Sequence, residues 1–194
     1  MKRNVLVLVF MSILSFFGFT GCDIGNGNVI SQERAVEGFN GITLDGVGNV
    51  IIRTGEDYKV VVTTDSNLQD RVLTTVNGNI LRITQRSGSF NAKELTIDVY
   101  LPELTRVTLN GAGNFTVNAG NASELTFSLS GTGNINAQDF EVQNITITHS
   151  GVGNARIWAT NSINGSLSGV GNIRYKGNPT ININRTGIGN ISPL

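Results

Sequence analysis

The sequence is short of the residues that carry most chemistry. Its 194 residues hold one cysteine, one histidine, one tryptophan and three prolines, and only 14% of them are charged. A lone cysteine, Cys22, excludes an intrachain disulfide, so a hydrophobic core must hold the fold. A lone histidine, His149, argues against zinc sites and nucleophile triads, which need converging imidazole, thiol and carboxylate groups. The charged fraction lies well below the roughly 25% of ordinary soluble domains, and no basic patch points to nucleic acid. Between Arg106 and Leu194 the acids are Glu124, Asp139 and Glu141. Asp139 and Glu141 are two residues apart and could share a strand face, but one such pair is thin support for a polysaccharide lyase or hydrolase, which needs placed carboxylates. Glu56, Asp57, Asp65 and Asp70 fall in or beside turns and read as surface charges.

One apolar run is present, Val5 to Phe19, behind Lys2 and Arg3. It is too short for a membrane span, which needs about 20 residues, and reads as the core of a signal peptide over residues 1–21. Its end, Phe19-Thr20-Gly21-Cys22, resembles a bacterial lipobox, so Cys22 is expected to be lipidated and to tie the chain to a membrane. Removing residues 1–21 leaves 173 residues, with 12 basic against 14 acidic side chains, enough for one domain with a full core. Residues 22–33, rich in glycine and asparagine, read as a flexible tether; Gly25-Asn26-Gly27-Asn28 could instead be a degenerate extra coil. Residues 34–194 then form a single domain.

What the chain has in excess is glycine, 24 residues of it, and much of it is ordered in a repeat. Gly-x-Gly-Asn occurs at Gly46-Val47-Gly48-Asn49, Gly111-Ala112-Gly113-Asn114, Gly131-Thr132-Gly133-Asn134, Gly151-Val152-Gly153-Asn154, Gly169-Val170-Gly171-Asn172 and Gly187-Ile188-Gly189-Asn190. The last five copies are spaced 20, 20, 18 and 18 residues apart. Before each copy apolar residues alternate, as in Leu125, Phe127 and Leu129. After it a second alternation follows, as in Ile135 and Ala137 or Ile173 and Tyr175. Period-2 alternation marks strands with one buried face, and a fixed period near 20 marks a repeat architecture. The expected fold is therefore all-β, a parallel β-helix or solenoid with glycine corners and asparagine ladders between coils over 104–194. The alternative is an antiparallel barrel with Gly-Asn hairpin turns. Residues 34–103 are less regular. Asn77-Gly78-Asn79 between two strand-like runs signals a hairpin, so this half is expected to be partly antiparallel.

Several spacings resemble one family: Phe39-x-x-Ile42, Gly46-Val47-Gly48-Asn49, Tyr58-x-Val60, Leu101-Pro102-x-Leu104, and the serial Ser-Gly-x-Gly-Asn units. Together, over Arg34 to Leu194, they resemble the putative auto-transporter adhesin, head GIN domain family. Gly133-Asn134-Ile135, Gly171-Asn172-Ile173 and Gly189-Asn190-Ile191 carry the Gly-Asn-Ile triplet. The resemblance implies a β-solenoid on a bacterial lipoprotein or membrane-anchored protein, and little about activity.

No cofactor is expected. Gly-x-Gly here precedes no helix, as a dinucleotide loop would require, and asparagine stands where calcium-binding repeats place aspartate. His149 takes the slot that Leu109, Leu129 and Leu167 hold in other coils, which reads as a partly buried imidazole bonded to a neighbouring coil. Arg185 takes the same slot in the last coil, where the core should open to solvent. Trp158, facing outward, and Tyr175 in a nearby register are the candidate ligand surface, because an exposed aromatic can stack on a sugar ring. The chain ends soon after the last corner, leaving an edge that could pair with a second copy. The expectation is a non-catalytic envelope lipoprotein whose solenoid meets a glycan or an envelope protein. The alternative is a carbohydrate-active β-helix enzyme.

Overall fold

The computed structural model describes residues 23–194. The expected signal peptide and the lipidation site Cys22 lie outside the described residues. Seventeen strands follow one another among the described residues. The first half runs through β1 (Asp23–Ile24), β2 (Val29–Arg34), β3 (Gly41–Leu44), β4 (Val47–Thr54) and β5 (Lys59–Asp65). A 3-10 segment, Ser66–Arg71, leads to β6 (Val72–Asn77), β7 (Ile80–Gln85), β8 (Phe90–Asn91) and β9 (Leu95–Leu101). The second half runs through β10 (Arg106–Leu109), β11 (Ala112–Val117), β12 (Gly120–Leu129), β13 (Thr132–His149) and β14 (Ala155–Leu167). It ends with β15 (Ile173–Lys176), β16 (Thr180–Arg185) and β17 (Ile191–Pro193).

Fifteen of these strands make one sheet of mixed orientation; β1 and β8 pair separately. Strands preceding a corner stack on one another in parallel, in the order β7, β3, β10, β12, the second half of β13, the second half of β14, and β16. Strands following a corner do the same, in the order β9, β4, β11, the first half of β13, the first half of β14, β15 and β17. Equivalent positions of the sequence repeat face each other in register: Leu44 with Leu109, Leu109 with Leu129, Leu129 with His149, and His149 with Leu167. The long strands β13 and β14 belong to both stacks and join them. The 3-10 segment packs against β2, β5 and β6, the elements at the two ends of the sheet path, so the sheet nearly closes on itself like a barrel.

The all-β expectation holds, as does the antiparallel character of the first half. There β2 pairs with β5, β5 with β9 and β6 with β7, all antiparallel. The β6–β7 turn is the Asn77-Gly78-Asn79 hairpin, with Gly78 at φ 62°. Alternating side chains from both stacks fill one contiguous core running from Phe39 to Ile173, with Phe115, Phe127 and Phe140 fully buried. Each such phenylalanine contributes about 2–3 kcal/mol by leaving water. Core burial fades at the last rung, where Ile181, Ile183 and Ile191 are only partly covered.

Three expectations are corrected at the N-terminal end. The described part of the expected tether, residues 23–33, is not free in the folded chain, because β2 is hydrogen-bonded along β5 over six residue pairs. The preceding glycine-rich stretch is no extra coil either. It wraps Asp65, which is fully buried rather than a surface charge. The Gly27 N–H donates to Asp65 Oδ1 at 2.6 Å and the Lys93 N–H to Oδ2 at 2.7 Å. Gly25 lies so close to the same carboxylate that a Cβ there would collide with it. Glycine that looks like flexibility in the sequence is in fact the space a buried carboxylate needs to collect its donors.

Candidate binding face

The corners come first, because they set how the outward side chains line up. The N–H of the residue between the two glycines donates to the first glycine's carbonyl one rung back: Thr132 to Gly111, Val152 to Gly131, Val170 to Gly151 and Ile188 to Gly169, each at 2.9 Å. By the same alternation the asparagine N–H two residues on would use the second glycine's carbonyl. It does not, because those second glycines adopt φ from 137° at Gly48 to 156° at Gly113. Each carbonyl is turned beneath the Cα of the next rung's glycine, where any Cβ would strike it. The stranded asparagine N–H takes the side chain of the asparagine below instead. Asn134 donates to Asn114 Oδ1 at 3.1 Å, and Asn154, Asn172 and Asn190 repeat the bond to Asn134, Asn154 and Asn172 at 3.0 Å each. The motif is thus one device: glycine supplies the backbone turn, and asparagine replaces the acceptor that the turn removes.

With the rungs so locked, the outward side chains of the last coils form columns about 4.8 Å apart from rung to rung. At the corner stand Val152, Val170 and Ile188, paired in series and 52%, 46% and 75% exposed. Two residues further along stands the asparagine ladder. Two further again, Arg156 lies opposite Arg174, both exposed. Beyond them Trp158 lies opposite Lys176, whose Nζ sits 3.5 Å from the centre of the indole. A shallow cleft of about 230 Å3 opens between the amide and arginine columns, lined by Asn154, Ala155, Arg156, Asn172 and Arg174. Among the described residues, neither arginine has a carboxylate partner; their outer rung neighbours are Asn136 and Ser192.

The structure does not bring the two aromatic candidates together. Trp158 is half-exposed on the outward face, and its ring carries Lys176. Tyr175 stands in register with the buried Ile157 and packs against the core, on the opposite side of the sheet. Sequence reasoning also missed the arginine pair. Its signal was present, since no aspartate or glutamate occurs after Glu141 while four cations do. Only register turns scattered cations into neighbours.

A family model described as "Putative auto-transporter adhesin, head GIN domain" matches the chain twice, over residues 38–119 and 116–179. The chain belongs to this family. No curated protein matches the sequence. Among solved structures, a putative adhesin from Bacteroides fragilis is 22% identical and covers 89% of this chain and 100% of its own, at a TM-score of 0.55. A putative adhesin from Parabacteroides distasonis is 20% identical over 88% of this chain and 98% of its own, at 0.43. A putative lipid binding protein from the same species is 20% identical over 89% and 99%, at 0.44. The Bacteroides fragilis structure shares the fold.

Elsewhere in this head GIN chain, His149 is fully buried between Leu129 and Leu167. Its Nε2–H donates to the Gly153 carbonyl at 2.7 Å, while Nδ1 finds no partner. In the last coil Arg185 makes the equivalent bond, to the Gly189 carbonyl at 3.2 Å, and also donates to Asn190 Oδ1 at 2.7 Å, ending the ladder. Asp139 is exposed and Glu141 half-buried on either side of the buried Phe140. No cluster of three or more metal-ligating side chains occurs among the described residues. At the opposite end of the sheet a wider cleft of about 630 Å3 is lined by Glu33, Glu56, Asp57, Tyr58, Lys59 and Tyr100. Beside it the Arg53 guanidinium is held above its ordinary range, first by its hydrogen bond to Asp98. Arg34 is pushed down by burial, partly offset by Asp70.

Proposed function

We propose that this chain is a binding module of the bacterial cell envelope, held at a membrane through a lipid on Cys22. Its coils form a β-solenoid whose C-terminal outward face meets a polysaccharide. The family's adhesin description favours envelope or surface association and a binding role over catalysis. The observation that carries the reading is the face itself. Val152, Val170 and Ile188 expose a continuous β-branched column on three successive rungs. Exposed apolar side chains are ordinary when scattered, but a contiguous strip edged by polar groups marks an interaction surface. Amides, guanidinium groups and an indole beside it offer the mixture of donors and ring faces that a glycan uses.

Glycan-array binding by the chain from residue 23 onward, with Trp158→Ala and Val170→Asp alongside, tests this. The expected result is binding to a restricted set of polysaccharides, weakened at least several-fold by Val170→Asp. A blank array would overturn the glycan reading. The anchor has its own test: membrane fractionation and palmitate labelling should both be lost in Cys22→Ser. A second reading has one specific observation behind it. The outer edges of β16 and β17 lack strand partners among the described residues, beside the exposed Ile188. A homodimer through these coils would double the face, and light scattering showing a monomer at all concentrations would dismiss it.

A further inference from the structure

The arginine pair narrows the ligand. We infer that Arg156, Arg174 and Lys176 form an anion-binding site, and that the glycan this face takes is a polyanion bearing uronate or sulfate groups. This rests on the glycan reading above and names its chemical class.

Three observations converge. The first is charge. The whole sequence balances 14 basic against 14 acidic residues, yet from residue 142 onward it has Arg156, Arg174, Lys176 and Arg185 and no acid at all. The second is register. Arg156 and Arg174 are directly opposite on adjacent strands, where like charges repel. Two arginines of the first half do have carboxylate partners, Arg53 with Asp98 and Arg82 with Asp45. Arg156 and Arg174 are left to solvent, with uncharged residues on the rungs outside them. Two guanidinium groups one rung apart present parallel donor forks that a single carboxylate or sulfate can bridge. The third is the cleft between Asn154, Asn172 and the two arginines, which gives that anion a seat beside amide groups. Lys176, positioned by its contact with Trp158, adds a further cation next along the strand.

Position separates a glycan from the protein's own membrane. With β2 and β5 added antiparallel beyond β9, the strand order along the side of the post-corner stack is β2, β5, β9, β4, β11, β13, β14, β15, β17. Eight strand spacings, roughly 38 Å, therefore divide β2, which follows residue 23, from the last rung. A lipid on Cys22 would put the membrane at the end away from the arginines.

The test compares polymers that differ only in charge: dextran sulfate with dextran, and polygalacturonate with its methyl ester. Binding is measured at two salt concentrations for the wild type, Arg156→Gln/Arg174→Gln, and Arg86→Gln as a control for charge alone. The expected result is at least tenfold tighter binding to the charged member of a pair, lost by tenfold or more in the double variant and kept by the control. Removing the like-charge pair should leave the melting temperature unchanged or higher, so lost binding would not report unfolding. Equal binding of charged and neutral polymers, unaltered in the double variant, overturns this inference while leaving the glycan reading intact. Failure to bind any polysaccharide defeats both. Binding to vesicles of mixed phosphatidylcholine and phosphatidylglycerol that needs the arginines, without polyanion binding, overturns the glycan assignment in favour of a lipid surface.

Discussion

The two ends of this molecule are finished in opposite ways. At the N-terminal end, antiparallel strands β2, β5 and β6 flank the parallel stacks, a 3-10 segment spans the gap, and three charged side chains have internal partners. Asp65 is buried and bonded to two backbone N–H groups, and Arg53 and Arg82 have carboxylate partners. At the other end β16 and β17 have no outer strand partner among the described residues. Arg185 terminates the asparagine ladder, Ile188 stays exposed, and Arg156 and Arg174 face solvent. The first end is covered by its own strands, while the second leaves strand edges and an apolar side chain uncovered among the described residues. A repeat supplies stability by stacking, so its terminal copies are where composition can drift toward a surface role.

The contrast can be broken or sharpened by substitution. The largest effect is expected mid-stack from Gly133→Ala. It puts a methyl group against the Gly113 carbonyl at φ 141°, and should cost about 4 kcal/mol or more in urea unfolding by combining overpacking with backbone strain. The same change at Gly55, φ 80° with open space around it, should cost only about 1 kcal/mol. Equal costs would mean that the rungs are not locked as described. Next comes Asp65→Asn. Replacing one carboxylate oxygen by an NH2 leaves it facing an N–H donor, at about 2–3 kcal/mol. Limited proteolysis should then cut within residues 23–34 while sparing the C-terminal coils. Cleavage of the coils first would reverse the assignment of the stabilised end. The smallest effect is expected at His149→Leu. Leucine restores the side chain of the adjacent rungs and removes a buried nitrogen without a partner, so stability should be unchanged or rise by about 1 kcal/mol. A loss above that range would show that the bond to the Gly153 carbonyl outweighs the orphaned Nδ1.

Much of the architecture was legible because its signal is periodic. The alternation around each Gly-x-Gly-Asn copy marked the strands, and the slot shared by Leu109, Leu129, His149 and Leu167 follows from aligning the copies. The first half resisted because its strands β2 and β5 pair antiparallel with partners distant in sequence, and no period announces such pairings; only the β6–β7 hairpin had a local signal, Asn77-Gly78-Asn79. Asp65 was misread for a related reason: its donors, Gly27 and Lys93, lie 38 and 28 residues away. Trp158 and Tyr175 were grouped by nearness in register. They differ in parity along their strands, so one points out and the other in.

The sequence by itself determined the repeat, its strand and corner positions, and the identity of the corner residues. Positive φ at the second glycine is a local demand; the missing Cβ and the asparagine acceptor answer contacts with the next rung, which the sequence records only because the motif repeats. Only the tertiary structure decided which charges are neighbours. Arg156 and Arg174 are 18 residues apart in the chain and one rung apart in space. Coulomb repulsion depends on the second distance, which parallel stacking imposes and no local pattern records.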